Sequence, residues 1–407
     1  MTLFLRKAKE LERSGRLLKH ESPTLAHISM LFTLFSRLFL ILSKEIPNVP
    51  VVHASHHGTQ TLIAVISKVI HGSSFIIWDH GMLWRERLFA LCRDGMPAFT
   101  QIGFIGLTRL CTRLAYHRAD YVTPCTNVQN VMWAAYLAGG KYLNDYECVA
   151  LNAKCSAVLN GMNLKRFTIK RELARKTPTA VMLSHISPLK DVMNAIKAAY
   201  YIVHEFKLTS YQLHIYGSTE VDLDYALACR TAIKELNIEP NVILKGLGNP
   251  ANVLPTGWVF VNSSITEGLP LAIGEASLCG LPVVCTNVGG SLEVISDLKT
   301  GALYGAVVPP SRSRQLALGQ LQVLAMTDGL DSFVDSNNDF PPTTIQELVA
   351  SGPEALEERI MNPTIGKMRE KLGEMFSLKT QSVFSISRYC REHEQVLWLG
   401  ELYSRHK

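Results

Sequence analysis

Short runs of apolar, mostly β-branched residues alternate with longer segments of helical spacing through most of the chain. Such runs are typical of parallel strands that are buried on both faces and joined by helices. The runs that predict strands are Val51–Ala54, Phe75–Trp78, Tyr121–Thr123, Ala157–Leu159, Ala180–Leu183, Gln212–Tyr216, Val242–Leu244, Trp258–Val261, Pro282–Cys285 and a weaker stretch within Gly301–Val308. The pattern predicts an α/β protein built from parallel sheets.

The composition agrees with a large packed core. The chain has 407 residues, of which 47% are hydrophobic and 19% are charged. This excludes a largely disordered chain and a small disulfide-stapled fold. Lysine and arginine number 41 against 35 acidic residues, a formal charge of +6. The modest excess favours phosphate-bearing ligands or an anionic membrane surface, and it is too small to indicate nucleic acid as a partner.

The cysteines and the N-terminal segment bear on the cellular compartment. Nine cysteines are scattered through the sequence with no C-x-x-C pair, which favours reduced core thiols in the cytoplasm over disulfides or a zinc site. The first 19 residues are charged and lack the apolar stretch of a signal peptide. The most apolar segment, Leu25–Leu42, contains His27 and Arg37. We therefore expect a half-buried helix there, with a helix lying on a membrane surface as the alternative.

A break near the middle of the sequence predicts two domains. Asn160-Gly161 is a strong turn signal, and the charged stretch after it has no clear apolar face. About six predicted strands follow, enough for a complete doubly wound sheet, whereas the first half offers only four. The predicted organisation is an incomplete first domain over 1–161, a linker over 162–178, a second domain over 179–375 with a polar insertion at about 327–344, and C-terminal helices over 376–407 that cross back to the first domain.

The densest functional signal is the segment 262–295, NSSITEGLPLAIGEASLCGLPVVCTNVGGSLEVI. It begins at the carboxyl end of a predicted strand, where open α/β sheets bind their ligands. Gly268, Leu269 and Pro270 form a turn into a predicted helix. A helix start aims free N–H groups and the positive dipole end at an anion, so this turn suits a diphosphate.

Two glutamates and a glycine pair accompany this turn. Glu267 precedes it and Glu275 lies about one turn into the helix, so both could face the same ligand. A carboxylate suits paired ribose hydroxyls, because it accepts two hydrogen bonds without a metal. Gly289 and Gly290 follow the next strand and permit close backbone approach. On spacing alone, two solvated glutamates around an ordinary strand-to-helix turn are an equal alternative.

The segment resembles the acidic motif of glycosyltransferase family 4. Members of that family are retaining nucleotide-sugar transferases with the two-domain GT-B fold. The resemblance runs through EGLPLAIGEA, GLPVV and GGSLEVI, and extends in order to VLNGMNLKRF, LSHISPLKDVMNAIKA and LHIYGSTEVDLDYALACRTAIKELNIEPNVILKG. The stretch VVHASHHGTQTLIAVISKVIHGSSFIIWDHGMLWRERL resembles the PelF-type exopolysaccharide subgroup. This implies two Rossmann-like domains facing a cleft, with an N-terminal truncation that removes the first βαβ unit.

The resemblance implies roles for residues of the second domain. Glu267 would contact the transferred sugar, Glu275 would hold the ribose, and Lys190 and the amides of 268–270 would bind the diphosphate. A lysine supplies a mobile cation there, and an ordinary surface lysine is the alternative. His185 stands where the family usually carries an arginine that also binds the diphosphate, and it is counted as donor-binding.

In the first domain the resemblance concerns a histidine loop and the start of the next helix. The family's corresponding loop faces the donor sugar, so His80 is a candidate catalytic residue, with a satisfied structural histidine as the alternative. Arg85, Glu86 and Arg87 are either acceptor-side residues or a surface ion-pair cluster.

Two further patterns could suggest a metal. Asp222 and Asp224 mimic a D-x-D metal motif, but they precede a predicted helix, where acidic groups stabilise the dipole. His53, His56 and His57 have no carboxylate near them in the sequence and lack the H-E-x-x-H spacing. We expect no essential metal and no cofactor beyond the nucleotide-sugar substrate.

The predicted function is transfer of a sugar, with retained configuration, from UDP-glucose or a similar donor to a glycan or polysaccharide acceptor. The alternative is a non-catalytic nucleotide-sugar-binding or scaffold module of a polysaccharide-synthesis complex. The expected location is the cytoplasm or the cytoplasmic face of a membrane, where a membrane-embedded polysaccharide synthase could be a partner.

Overall fold

The computed structural model of the chain describes residues 2–15, 23–128, 138, 143–297, 299–330 and 343–405. The chain divides into two compact units, Met1–Leu159 with Arg391–Lys407, and Asn160–Cys390. The division falls beside the Asn160-Gly161 turn, and the end of the chain groups with the first unit. Most of the predicted insertion at 327–344 lies outside the described residues.

The first unit contains a three-stranded parallel sheet in the order β1-β2-β3. Its strands are β1 (Val51–Ala54), β2 (Ser74–Asp79) and β3 (Tyr121–Pro124), and its helices are α1 (Thr2–Arg13), α2 (Leu25–Leu42), α3 (Leu62–His71), α4 (Leu83–Arg93), α5 (Ala98–Arg118) and α6 (Asp145–Ala153). The central strand is the most deeply buried, and its Phe75 and Ile77 pack in one cluster with Ala115 and Tyr116 of α5.

The predicted strand Ala157–Leu159 is wrong. The segment runs beside β3, where Ser156 N–H donates to Val122 O at 3.0 Å and Val158 N–H donates to Pro124 O at 2.9 Å. The pairing amounts to one isolated bridge between Val122 and Cys155. It goes no further because the next residue of β3 to face the segment is Pro124, which has no N–H to donate back.

Helix α2 is less buried than the sequence predicts. Ile28 and Leu31 are its buried residues, and they pack against Phe99 of α5. Large apolar side chains that remain exposed are Leu25, Met30, Phe32, Phe39, Leu40 and Leu42. By length and composition alone, α2 could also cross a membrane.

The second unit contains a six-stranded parallel sheet in the order β6-β5-β4-β7-β8-β9. Its strands are β4 (Thr179–Leu183), β5 (Gln212–Tyr216), β6 (Val242–Gly246), β7 (Val259–Asn262), β8 (Val283–Thr286) and β9 (Gly305–Val308). Its helices are α7 (Val192–Tyr200), α8 (Leu223–Glu235), α9 (Pro250–Val253), α10 (Leu271–Leu278), α11 (Ser291–Ile295), α12 (Ser313–Ala325), α13 (Ile345–Ala350), α14 (Pro353–Met361), α15 (Pro363–Val383) and α16 (Ile386–Arg405), the last of which ends in the first unit.

This strand order is the doubly wound order, in which the sheet grows in one direction from its first strand and then in the other from its fourth. The reversal falls between β4 and β7, which pair through Ala180 with Val259 and Val181 with Phe260. All residues of β7 and β8 are buried. Burial on both faces explains why these strands read as continuous apolar runs without alternation.

The acidic D-x-D segment caps a helix, as predicted. The Asp222 carboxylate accepts a hydrogen bond from Tyr225 N–H at 3.0 Å at the first turn of α8. Asp224 lies in the same first turn, where its charge complements the helix dipole.

His214 makes the stability of the second unit dependent on pH. It is 2% exposed in β5, and burial, together with the cations of Lys245 and Arg175, lowers its pKa to about 4. As the pH falls below about 6.5, the His214 imidazole therefore takes up a proton in the unfolded chain but not in the folded chain, and the folded state loses stability.

Replacing His214 removes this loss. We predict that the free energy of unfolding of His214→Leu, relative to that of the natural chain, rises by about 2 kcal/mol as the pH falls from 7 to 5. Urea unfolding at both pH values measures this difference, and a constant difference would contradict it.

Candidate functional site

The loops that leave β4 and β7 are tied together at the reversal point of the sheet. Ile265 N–H donates to Leu189 O at 2.9 Å. The fully buried Ser263 hydroxyl lies 2.9 Å from the carbonyl oxygens of both Lys190 and Asp191. Two loops far apart in sequence are therefore held at the edge of the sheet where open α/β folds bind ligands.

An ion pair joins the side chains of these loops. Lys190 Nζ donates to Glu267 Oε1 at 2.7 Å, and their side chains are 29% and 11% exposed. The same oxygen accepts from the Ser264 hydroxyl at 2.7 Å and lies 3.5 Å from Asn262 Nδ2. The sequence reveals the lysine and the glutamate, but it gives no sign that Ser264 and Asn262 hold the carboxylate.

The glycine pair after β8 packs against the turn that follows Glu267. Gly290 N–H donates to Gly268 O at 2.8 Å. Gly289 has a φ of +52°, and a Cβ there would lie 2.1 Å from Glu267 O. Only glycine permits this approach, so the third loop is fixed against the first two.

A lysine that sequence reasoning missed supports the helix after this pair. Lys379 Nζ of α15 donates to Glu293 O at 2.9 Å and to Val294 O at 2.6 Å, near the end of α11. Burial lowers the pKa of Lys379 to about 8. It is 86 residues from Glu293 in the chain, and no local motif marks it.

The turn into α10 supplies a different set of amides from the one predicted. Leu269 and Pro270 are buried, and Pro270 is the N-cap residue of the helix. Proline has no N–H, so it cannot donate to a diphosphate. The first N–H groups of the helix itself belong to Leu271 and Ala272, which join those of Gly268 and Leu269 as candidate donors.

Glu275 is half-buried on α10. Burial raises the pKa of its carboxyl group, and the Arg166 cation partly opposes the rise. The neighbouring Gly274 lets the helix sit directly on Met162, since a Cβ there would lie 2.0 Å from Met162 Cε. No hydrogen bond to the Glu275 carboxylate occurs within the described ranges of the chain, so it is available to a ligand.

His185 is exposed in the loop after β4, five residues before Lys190. Its backbone is well fixed: Ile186 N–H donates to Ser218 O at 3.1 Å, and Gly217 packs on Ser184 O so closely that a Cβ would lie 1.7 Å away. The structure thus joins Lys190 to Glu267 directly. It joins neither His185 nor Glu275 to that pair by a hydrogen bond between described residues.

In the first unit, His80 lies in an aromatic and histidine-rich cluster. Its ring is 3.9 Å from the Trp78 ring and 6.2 Å from the His56 ring, centre to centre. Burial lowers the pKa of His80, His56 and His53 lower it further, and the Asp79 carboxylate acts in the opposite direction. The imidazole is therefore neutral at pH 7, so one of its ring nitrogens can donate a hydrogen bond and the other can accept one.

The fold supplies the carboxylate that the three-histidine sequence lacks. Asp79 Oδ1 lies 2.7 Å from His57 Nδ1 and 2.9 Å from His56 Nδ1, and the Tyr116 hydroxyl donates to Asp79 Oδ2. Burial alone would raise the pKa of Asp79, but the two histidines hold it well below its usual value. His57 Nε2 accepts from Leu83 N–H at 3.2 Å, which leaves Nδ1 to donate to the carboxylate.

The donor atoms of His56, His57 and Asp79 all lie within 4.8 Å of one another, a spacing that could accommodate a metal ion. His57 and Tyr116 hold the carboxylate by hydrogen bonds, and His56 Nδ1, which lies 2.9 Å from it, accepts from His57 N–H at 3.0 Å. This cluster therefore forms a hydrogen-bonded network that fixes the end of β2, immediately before His80.

Arg85, Glu86 and Arg87 lie in the first turns of α4. Glu86 packs against the turn at Gly81, where a Cβ would lie 3.2 Å from Glu86 Oε1. Arg87 is exposed and Arg85 is partly buried. Glu86 thus packs against the loop that contains His80, and the Arg87 side chain extends into solvent.

The close approach at Gly289 leads to a prediction. Gly289→Ala should lower the free energy of unfolding by about 2–4 kcal/mol, because it adds a steric clash with Glu267 O to the strain of a positive φ. Gly301→Ala is the matched control: Gly301 has a φ of +74°, but no atom lies within 4 Å of its Cβ position. It should lose about 1 kcal/mol. Urea unfolding of both variants measures the difference, and equal losses would contradict it.

Two family models match separate parts of the chain. Residues 165–333 match the family described as glycosyl transferases group 1, and residues 5–136 match a domain of unknown function, DUF3492. The chain is 30% identical over 161 residues to the Escherichia coli UDP-Gal:alpha-D-GlcNAc-diphosphoundecaprenol alpha-1,3-galactosyltransferase, a match that covers 37% of this chain and 41% of that protein. It is 30% identical over 131 residues to the alpha-maltose-1-phosphate synthase of Mycobacterium tuberculosis, covering 31% of this chain and 33% of that protein. The matches thus span less than half the length of these relatives.

Solved structures extend the likeness to both units. The Anabaena HepE structure in complex with UDP-glucose has a TM-score of 0.56 at 15% identity, over 83% of this chain and 75% of that one. The sucrose-phosphate synthase from Thermosynechococcus elongatus has a TM-score of 0.59 at 15% identity, over 86% of this chain and 73% of that one. The predicted α/β fold with parallel sheets is confirmed. The chain has the GT-B-like fold of these structures.

Proposed function

We propose that the chain is a retaining glycosyltransferase that moves a sugar from UDP-glucose, or a similar nucleoside diphosphate sugar, to a glycan or polysaccharide acceptor. The observation that carries this proposal is the Lys190–Glu267 ion pair at the reversal point of the second sheet. It sets a cation and a carboxylate side by side where a ligand with both phosphate and sugar hydroxyls would bind. We also propose membership of glycosyltransferase family 4 and of its PelF-type subgroup.

Each part of the donor has a candidate partner in this site. The Lys190 ammonium would bind the diphosphate together with the amides at the start of α10, and the Glu267 carboxylate would bind hydroxyls of the transferred sugar. Glu275 would accept hydrogen bonds from the ribose. The exposed His185 would add a donor to the diphosphate.

In the reaction, the bond between the anomeric carbon and the diphosphate oxygen breaks, and the acceptor hydroxyl oxygen bonds to that carbon. The hydroxyl proton leaves with the UDP or to solvent. Charge develops on the departing diphosphate, so the electrostatic contribution of Lys190 is greatest as that bond breaks. His80 would contact the donor sugar as a neutral imidazole, and Arg85, Glu86 and Arg87 would lie on the acceptor side. No step requires a metal.

Two features of the relatives support a UDP-linked donor. The Escherichia coli relative is named for UDP-Gal, and the Anabaena structure contains UDP-glucose. We further propose that the protein works in the cytoplasm or on the cytoplasmic face of a membrane, where a membrane-embedded synthase could receive its product.

Turnover tests the proposed function. The full chain should release UDP from UDP-glucose in the presence of oligosaccharide acceptors, and the rate should be the same in EDTA. Lys190→Ala should lower kcat/KM about 100-fold or more, because the departing diphosphate loses its cation. Lys234→Ala, an exposed lysine on α8, is the control and should leave the rate unchanged.

Three outcomes would contradict parts of this proposal. Loss of activity in EDTA that Mn²⁺ restores would overturn metal independence. Binding of UDP-glucose without UDP release would indicate the non-catalytic module instead. Absence of both binding and release would overturn the assignment of the donor site.

Donor affinity tests the role of Glu275. Glu275→Ala should weaken UDP-glucose binding roughly 10- to 100-fold, because charge-assisted hydrogen bonds to the ribose are lost, and Glu275→Gln should lose less. Because the pKa of Glu275 is raised, binding to the natural chain should weaken on acidification from pH 7 to 5 more than binding to Glu275→Gln does. Calorimetry on both proteins gives these values. Unchanged affinity in Glu275→Ala would remove this residue from the site.

A further inference from the structure

A second cavity lies at the opposite end of the second sheet from the proposed donor site. It has a volume of about 330 Å³ and is lined by Trp258 and Pro282, which precede β7 and β8, and by residues of the predicted linker 162–178. The donor-site loops leave the carboxyl ends of these same strands. The two sites are therefore separated by the length of the strands.

The lining of this cavity is strongly basic. Five basic side chains and one acidic side chain contribute to it. The acid, Glu370, is engaged by Arg171 at 3.4 Å. Among the described residues, no carboxylate forms an ion pair with Lys170, Arg175 or Lys367. Within that part of the chain, three cations thus surround the cavity without a paired counter-charge.

A fourth cation in the wall is buried. Arg369 is 6% exposed, and its guanidinium stacks 4.5 Å from the centre of the Trp258 ring. It donates to two carbonyl oxygens, those of Leu324 and Ile360. Burial lowers the pKa of Arg369 to about 10, so it stays charged at neutral pH. In the part of the chain that the structure describes, no carboxylate lies within ion-pair distance of it. A buried charge without a counter-charge is costly, and an anion in the cavity would offset that cost.

One part of the wall is apolar. Ile169, Leu281 and Met361 line the cavity beside the Trp258 indole, whose N–H already donates to Arg175 O at 2.7 Å. An aromatic ring and aliphatic side chains suit the C–H face of a sugar ring, whereas the cations suit a phosphate. The volume is adequate for one small ligand that has both parts.

We propose that this cavity binds a phosphorylated monosaccharide, with the phosphate held by Lys170, Arg175 and Lys367 near the Arg369 guanidinium and the sugar ring against the apolar wall. The site is separate from the proposed donor site, and its occupation does not depend on UDP-sugar binding.

Calorimetry on the full chain with glucose 6-phosphate, glucose and inorganic phosphate tests this site. Glucose 6-phosphate should bind with a dissociation constant below about 1 mM, and the other two should bind at least tenfold more weakly, since each lacks one half of the recognition. The affinity should fall as salt is added, because the phosphate contacts are electrostatic. Saturating UDP-glucose should not displace the ligand.

A matched pair of double variants locates the binding. The Lys170→Ala, Lys367→Ala variant should weaken glucose 6-phosphate binding at least tenfold. The Lys176→Ala, Lys371→Ala variant removes two exposed lysines from the same two segments outside the cavity and should bind as the natural chain does. Absence of binding, equal losses in both variants, or displacement by UDP-glucose would overturn the proposal. Equal affinity for phosphate and glucose 6-phosphate would overturn the role of the apolar wall.

Discussion

The second sheet reverses its direction of growth between β4 and β7, and the candidate donor site depends on that reversal. The chain segments that leave these strands turn to opposite sides, so the carboxyl ends between them are left uncovered. Ser263 joins the two segments through main-chain oxygens, and the Lys190–Glu267 pair occupies the space above. The Gly289 loop then depends on both, because it packs on the carbonyl group of Glu267 itself. A change in the pairing of β4 and β7 would displace all three loops together.

The ion pair also balances the two opposite charges of the site within the protein itself. A lysine and a glutamate that face each other in a partly buried place satisfy one another, and the Ser264 hydroxyl holds the carboxylate from a second side. A diphosphate would compete with Glu267 for the ammonium group. The carboxylate would then keep its Ser264 contact and turn its remaining acceptor capacity to a sugar. The donor would thus replace an internal interaction, and the loops would need little rearrangement.

The second unit was the more predictable from sequence, and the reason is physical. Strands buried on both faces carry their signal in nearly every residue, so β4, β5, β7 and β8 are clearly visible as apolar runs. Glu267 and Lys190 were recognised through the motifs that carry the family resemblance, since their positions after strands left other interpretations open. Ser264 and Lys379 were not, since a serine after a strand and a lysine on a distant helix have no distinctive pattern. Pro270 illustrates a different error. The turn was correctly located, but proline has no N–H and cannot donate to the diphosphate as predicted.

The first unit was harder to predict because its important contacts are long-range. His56 and His57 gave no indication of the carboxylate beside them, because Asp79 is 22 residues from His57 and becomes a neighbour only through the pairing of β1 with β2. The segment 157–159 has the composition of a strand, but it faces Pro124 of β3, which has no N–H to extend the ladder. Composition predicts which residues can pair, and the donors of the neighbouring strand decide whether they do.

The sequence separation of 77 residues from Lys190 to Glu267 has a consequence for how the protein folds. The segment containing β4, β5 and β6 can form from local βα neighbours, and so can the segment containing β7, β8 and β9. The contact between β4 and β7 joins the two only after a long loop has closed, a step that is slow because chain entropy is lost before any pairing is gained. A chain still emerging from the ribosome could therefore build either half of the sheet without a functional site. The site would form in the same step that completes the sheet, so the ion pair would serve as a sensitive reporter of the last stage of folding.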